Sequence, residues 1–341
     1  MTHHRLALLG FGNVGRALAR LLQRKETELK DRYGLTYTVT GIATGRHGAA
    51  IDHAGLDAVK AAELVETGGS LDALSTTPVH DAFDFLHRCG ADVLFENTPV
   101  NVTTGQPAID HLHIALERGM HAITANKGPV VHAYQTLTHL AEAHGRKFYF
   151  ESTVMDGAPI FSLFRTSLPA TRLQSFRGIF NSTTNLILTR MEGGETFDEA
   201  VKYAQSVGLA ETDPSADVDG WDASIKVAAL VTVLMDEPFT PQQVDRTGIR
   251  GITPAMVSAA REQGKRWKLI CSAGRSGEAI TGRVAPELVD SSSSFYSVDG
   301  SSSIVEFHTD TLSSLTLVEG NPGPETTAYG LLADFINAVN G

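Results

Sequence analysis

The chain has 341 residues, 42% hydrophobic and 20% charged, a balance that excludes disordered and fibrous classes and leaves room for two globular domains. A formal net charge of -11 and the lack of any Lys/Arg run exclude a general nucleic-acid binder, which needs a basic face to neutralise phosphates. Cys89 and Cys271 are too few for a disulfide framework, and the opening MTHHRLALLG is too short an apolar run for a leader or a membrane span. A cytoplasmic setting and small-molecule ligands are the expectation.

Residues 6–9 are a short apolar run leading into Gly10-Phe11-Gly12-Asn13-Val14-Gly15, after which Ala17, Leu18, Leu21 and Leu22 recur at helical spacing. Strand, glycine turn and helix together make a dinucleotide-binding arrangement. The first glycine permits the tight turn, the second lets backbone approach a pyrophosphate, and the third lets the helix pack on the strand. Residues 37–43 predict a second strand, whose end in such a fold presents an acid to the ribose 2′-hydroxyl. Thr44, Gly45 and Arg46 stand there instead. A guanidinium able to pair with a 2′-phosphate favours NADP(H) over NAD(H); the competing reading makes Arg46 a solvated turn residue.

Residues 91–96 and 121–124 read as further buried strands, ending in Asn97-Thr98 and in Ala125-Asn126-Lys127 at the carboxyl edge, where ligands sit. Helices are predicted over 107–118 and 130–144, a strand over 147–150, and helices and loops over 47–87. The domain boundaries follow: 1–150 for nucleotide binding, with a helix over 324–341 returning to it, and 151–323 for an α+β substrate domain. In the latter, strands are predicted over 172–180, 267–273, 279–285, 304–308 and 315–318, and helices over 186–192, 196–207 and 255–263. The polar turn 181–185 can cap the first of these helices. Thirteen histidines form no HxxxH and no CxxC occurs, so scattered, solvent-exposed histidines are expected rather than a metal centre.

Residues 208–230, GLAETDPSADVDGWDASIKVAAL, carry the densest chemistry. An acidic loop with Glu211, Asp213, Asp217 and Asp219 runs into a helix that Asp217 or Asp219 can cap. Asp222 and Lys226, four apart, share a face of that helix. Their pair reads either as an ordinary solvated ion pair or, because Lys226 heads the apolar run Val-Ala-Ala-Leu-Val, as a proton-carrying pair turned into a cleft.

Four segments, GFGNVG at 10–15, TANK at 124–127, GIFNSTTN at 178–185 and GLAETDPSADVDGWDASIK at 208–226, resemble homoserine dehydrogenase in order over nearly the whole chain. The resemblance implies an α/β protein: a Rossmann-type nucleotide-binding domain with an α+β substrate and dimerisation domain. It implies interconversion of L-homoserine and L-aspartate 4-semialdehyde with NADP or NAD. Lys226 would be the proton donor and acceptor, with Asp222 positioning substrate beside it and Lys127 near the nicotinamide and the reacting carbon. Glu211 would bind the substrate's α-amino group, with Asn181 and Thr183 also on the substrate. Cofactor contacts would fall on Gly10, Phe11, Gly12, Asn13, Val14, Gly15, Thr44, Arg46, Asn97, Thr98, Lys127 and Gly323. A monovalent cation, Na+ or K+, would sit on main-chain carbonyls at Glu151, Val154, Asp156 and Ala158, although Met155-Asp156 stands where the family commonly has Gly-Ala. Ser182 replaces a common glycine, and Asn321-Pro322 replace small residues. A homodimer is implied, and the regulatory or aspartate kinase domains that many relatives carry do not fit within this length. Two alternatives remain: the same fold acting on another small semialdehyde or amino alcohol, and a non-catalytic NADP-binding sensor, which has no need of both lysines.

Overall fold

The computed structural model describes every residue except Glu278. It divides into two compact units, Met1–Pro159 with Gly323–Gly341, and Ile160–Pro322. The first unit runs β1 (Thr2–Leu9), α1 (Asn13–Tyr33), β2 (Leu35–Ala43), β3 (Ala49–Ile51), α2 (Ala58–Glu66), α3 (Ala82–Arg88), β4 (Val93–Glu96), α4 (Ala108–Glu117), β5 (His121–Thr124), α5 (Lys127–His132), α6 (Tyr134–Ala143) and β6 (Phe148–Tyr149). Its sheet has the order β3-β2-β1-β4-β5-β6, parallel throughout except for the short β3, which runs antiparallel to β2. Leu6, Ala7 and Leu8 of β1 and Val93, Leu94 and Phe95 of β4 are wholly buried, as central parallel strands covered on both faces must be. The chain leaves β1 toward β2 on one side and returns to β4 on the other. The loops after β1 and β4 therefore flank a switch point at the carboxyl edge.

The second unit runs β7 (Leu173–Ile179), α7 (Ser182–Glu192), α8 (Phe197–Ser206), α9 (Ser215–Val218), α10 (Trp221–Leu234), β8 (Val244–Arg246), α11 (Pro254–Glu262), β9 (Lys265–Ser276), β10 (Ala279–Asp290), β11 (Ser303–Thr309) and β12 (Leu315–Glu319). Its sheet has the order β12-β11-β7-β9-β10-β8, antiparallel except where β8 joins β10. β9 begins earlier than its apolar run suggests because its charges are paired: Arg266 reaches Glu192 and Asp299, and the wholly buried Lys268 donates to Val298 O at 2.6 Å and Asn185 Oδ1 at 3.2 Å. Burial, with Arg266 adding to it, pulls the Lys268 ammonium down to about 8.

After the second unit the chain re-enters the first as α12 (Pro324–Asn340), whose Leu331, Leu332, Phe335 and Ala338 share a core with Leu18 and Leu22 of α1. Burying each such large side chain is worth about 1.5–3 kcal/mol. No helix among the described residues is long and apolar enough to cross a membrane, and Cys89 and Cys271 are both free and buried.

Two sequence expectations need correction here. Neither Asp217 nor Asp219 caps α10: Gly220, at φ +80, occupies the N-cap without a side-chain bond, since a left-handed residue is what turns the chain out of α9 and into α10. Nor are all the histidines exposed, for His111 and His121 are 3% and 8% accessible. His121 Nδ1 accepts the Lys147 N–H at 3.1 Å, and burial, reinforced by the Arg146 charge, holds the ring down to about 4. A group whose folded pKa is depressed contributes stability above its unfolded pKa and loses it as pH falls toward the folded value. The thermal midpoint should therefore drop as pH falls from 6.5 to about 4, and His121→Gln, which can still accept from Lys147, should flatten that slope. Calorimetry across the window checks this, and an unchanged slope in the variant would put the titration elsewhere.

Candidate active site

In the first unit, backbone geometry builds the carboxyl edge. Gly10 donates its N–H to Ala43 O at 3.0 Å, and Asn97 donates to Leu9 O at 2.7 Å, drawing the β1 and β4 exits together. A Cβ at Gly10 would lie 2.3 Å from Asn97 C and O, and one at Gly15 would lie 2.7 Å from Gly10 O. Gly12, the N-cap of α1, has nothing within 4 Å of where its Cβ would be. Close approach at the first glycine, open space at the second and helix packing at the third are what a pyrophosphate cradle at a helix N-terminus requires. Neither Oδ1 nor Nδ2 of Asn97, both buried, has a hydrogen-bond partner among the described residues. The cradle and this uncommitted amide fit a dinucleotide.

Phe11 is buried behind the turn, and Asn13 and Val14 open α1. Thr44 organises the turn after β2, its Oγ1 accepting N–H bonds from Arg46 at 3.3 Å and His47 at 2.6 Å, and Arg46 is exposed on that turn. Thr98 donates both its N–H and its hydroxyl to the buried Glu96, so the hydroxyl proton goes to the protein while its oxygen can still accept from a ligand. Lys127 opens α5 directly after the N-cap Asn126, which accepts the Gly128 N–H at 3.0 Å.

In the second unit a polar cluster forms where α7, α9 and α10 begin. Lys226 donates to Phe180 O at 2.6 Å and lies 3.3 Å from Asp222 Oδ2, with side chains only 14% and 21% exposed. This is a sheltered pair, not a solvated one. Asn181 caps α7 by accepting from Thr184 N, and its amide donates to Asp217 Oδ1 at 2.6 Å and Asp222 Oδ2 at 3.0 Å. Burial, then the facing Asp222 carboxylate, push Asp217 above the usual carboxylate range; hydrogen bonds from Asn181 and Thr183 and the Lys226 charge oppose them. Two carboxylates, an amide and an ammonium can bind an amine and relay one proton.

Asp217 is the residue that sequence reasoning left out, treating it as a helix cap; its signal was its place five residues before Asp222 in the acidic loop. Thr183 is buried and donates to Leu209 O at 3.3 Å. Glu211 is exposed, its carbonyl accepting from Gln205 at 3.2 Å, with no hydrogen bond between its carboxylate and the cluster among the described residues. In the first unit Glu151 opens a short turn, its N–H donating to Asp334 at 2.7 Å, and Val154 is buried. Asp156, at φ +36, accepts from the Thr326 hydroxyl at 2.9 Å, and Ala158 donates to Met155 O at 2.8 Å. No group of three or more His, Cys, Asp or Glu side chains among the described residues is placed to hold a metal. Gly323 is the N-cap of α12 and donates to Thr326 Oγ1 at 2.8 Å.

The chain is similar to known proteins over nearly its whole length. The family profile described as homoserine dehydrogenase matches residues 159–336, and that of the homoserine dehydrogenase NAD binding domain matches residues 10–151. An NAD(+)-dependent homoserine dehydrogenase of Pseudomonas canavaninivorans is 36% identical over 346 residues, 99% of this chain and 96% of that protein. A homoserine dehydrogenase of Methanocaldococcus jannaschii is 36% identical over 337 residues, 98% of each. The solved structure of a hyperthermophilic archaeal homoserine dehydrogenase in complex with NADPH superposes with a TM-score of 0.83 at 28% identity, covering 99% of this chain and 98% of that one. With a Rossmann-type sheet, a glycine cradle and a sheltered lysine–carboxylate cluster in one chain, and both family profiles matched, the protein belongs to the homoserine dehydrogenase family.

Proposed function

We propose that the protein interconverts L-homoserine and L-aspartate 4-semialdehyde. The observation that carries this reading is the sheltered cluster of Lys226, Asp222, Asn181 and Asp217, whose charges suit an amino acid that also bears a reacting hydroxyl. A bound nicotinamide supplies the hydride acceptor or donor. In the oxidation, Lys226 as the free amine takes the hydroxyl proton while the hydride leaves the same carbon, and in the reduction it returns that proton to the oxygen. Phe180 O and Asp222 hold its Nζ in place, and Asp217, Asp222 and Glu211 attract the substrate's α-ammonium. Lys127 has the role that the resemblance gives it, stabilising negative charge that develops on the substrate oxygen.

NADP is our proposed cofactor preference, although one relative is named NAD(+)-dependent and another was solved with NADPH. Its support is Arg46 on the turn after β2, where no acid stands. The test is an absorbance assay with L-homoserine and NADP+ or NAD+ in parallel, with threonine and serine as controls. Turnover of homoserine alone is expected; cofactor binding without turnover of any of them would favour the sensor. Arg46→Asp should cut the NADP/NAD ratio of kcat/KM by about tenfold or more, the worth of one charge-assisted hydrogen bond of about 1.5–3 kcal/mol. An unchanged ratio would leave Arg46 a solvated turn residue. The homodimer implied by the resemblance belongs to the same proposal, and sedimentation that shows a monomer at micromolar protein would remove it.

A further inference from the structure

Glu96 ends β4 with its side chain wholly buried, an uncommon place for a carboxylate unless its partners are specific. Its Oε1 accepts the Thr98 N–H at 3.0 Å and the Thr98 hydroxyl. Its Oε2 lies 3.0 Å from the hydroxyl of Thr124, the last residue of β5, which also reaches Glu96 O at 2.8 Å. The same Thr124 oxygen accepts the Asn126 N–H at 2.9 Å, and Asn126 Nδ2 donates to Thr98 O at 3.1 Å. The bonds therefore close a ring through Glu96, Thr98, Asn126 and Thr124. From α4 the buried His111 faces the same carboxylate, Nδ1 3.8 Å from Oε1.

The ring joins the two carboxyl-edge loops that carry Asn97 and Lys127. Asn126 is both a member of the ring and the N-cap of α5, so it fixes the backbone on either side of Lys127 through its own N–H and the bond it accepts from Gly128. We propose that Glu96 is a positioning residue for Lys127, acting through Thr124 and Asn126. It touches neither substrate nor cofactor in this scheme. Ring members of this kind act as a unit, so deleting one partner should lose most of what the whole ring contributes. The role given to Lys127 rests on the homoserine dehydrogenase reading above; the geometry of the ring does not.

The experiment uses the full chain with Glu96→Ala, Thr124→Val and Thr124→Ser, each also combined with Lys127→Ala. A displacement of about 1 Å at a reacting group costs roughly 10²-fold, so Glu96→Ala and Thr124→Val should each lower kcat on that order, with KM changing much less. Thr124→Ser keeps the hydroxyl and should restore kcat to within about threefold. On the Lys127→Ala background neither variant should lower kcat further. A merely structural role would instead give the full losses again on that background, and that result overturns the proposal. Acetylation of Lys127 by acetic anhydride, followed by mass spectrometry, is the readout that needs no turnover. Its rate should rise in Glu96→Ala and Thr124→Val and stay at the parent rate in Thr124→Ser. If the parent protein does not oxidise homoserine, the functional reading fails while the labelling still decides the positioning. If Glu96→Ala does not fold, the near-isosteric Thr124→Val carries the test, and an unchanged labelling rate there sinks the proposal.

Discussion

Replacing Lys226 by alanine is expected to lower kcat for homoserine oxidation by about 10²–10⁴-fold, the usual contribution of a positioned general acid–base group. The fold should survive, because the truncation leaves the apolar side of α10, with Ile225, Val227, Ala228 and Leu230 wholly buried, untouched. The same substitution removes the Lys226 charge, which pairs with Asp222 and holds Asp217 down. Asp217, already pushed up by burial and by Asp222, should then take a proton at still higher pH. With the proton acceptor gone, the pH dependence that Lys226 gives kcat/KM in the oxidation should be lost.

Lys226→Arg separates acid–base chemistry from charge. An arginine keeps the cation beside Asp222 but does not release its proton at any working pH. Its kcat should stay near that of Lys226→Ala, and that pH dependence should stay lost. Steady-state kinetics with circular dichroism as the folding control measures both. A kcat loss under about tenfold in Lys226→Ala would make Lys226 a binding residue, and a fully active Lys226→Arg would remove proton transfer from its role.

The parts of this architecture that follow apolar periodicity are legible in the sequence. The strands at 91–96 and 121–124 end at Glu96 and Thr124 in the structure, because an unbroken apolar run stops where the chain meets the sheet edge. What periodicity misses is polar side chains buried by partners far off in the chain. Thr183, Thr184 and Asn185 read as a polar turn, yet they form the first turns of α7, and Asn185 is buried donating to Val298, Gly300 and Ser302 carbonyls. Asp217 reads as a cap because its partner Asn181 lies 36 residues away. Glu96 reads as the last residue of a strand, and only the return of β5 alongside β4 supplies Thr124 to hold it. Lys226 escapes this blindness because its carboxylate partner is on the same helix face, four residues back.

Gly10→Ala should damage both stability and cofactor binding, whereas Gly12→Ala should damage binding alone. At Gly10 the backbone has φ +92, which a side chain disfavours, and the new Cβ would meet Asn97 C and O at 2.3 Å and Thr98 N at 2.6 Å. Those atoms are backbone and cannot swing aside. The loop that carries them is held by Asn97 N–H on Leu9 O, Thr98 N–H on Glu96 and Asn126 on Thr98 O, so relief means giving up some of these bonds. Strain of about 1–3 kcal/mol and lost bonds of about 1 kcal/mol each predict a fall of roughly 2–5 kcal/mol in unfolding free energy. Gly12 has φ -78 and empty space around its absent Cβ, so its alanine variant should stay within about 1 kcal/mol of the parent. That empty space lies at the helix N-terminus where a pyrophosphate would approach, so a methyl group there should weaken NADPH binding by about tenfold or more. Calorimetric unfolding with fluorescence titration of NADPH resolves the two effects. A Gly10→Ala protein with the parent's thermal midpoint would show that the β4 exit is more yielding than its bonds imply, and parent-like NADPH affinity in Gly12→Ala would move the pyrophosphate away from this turn.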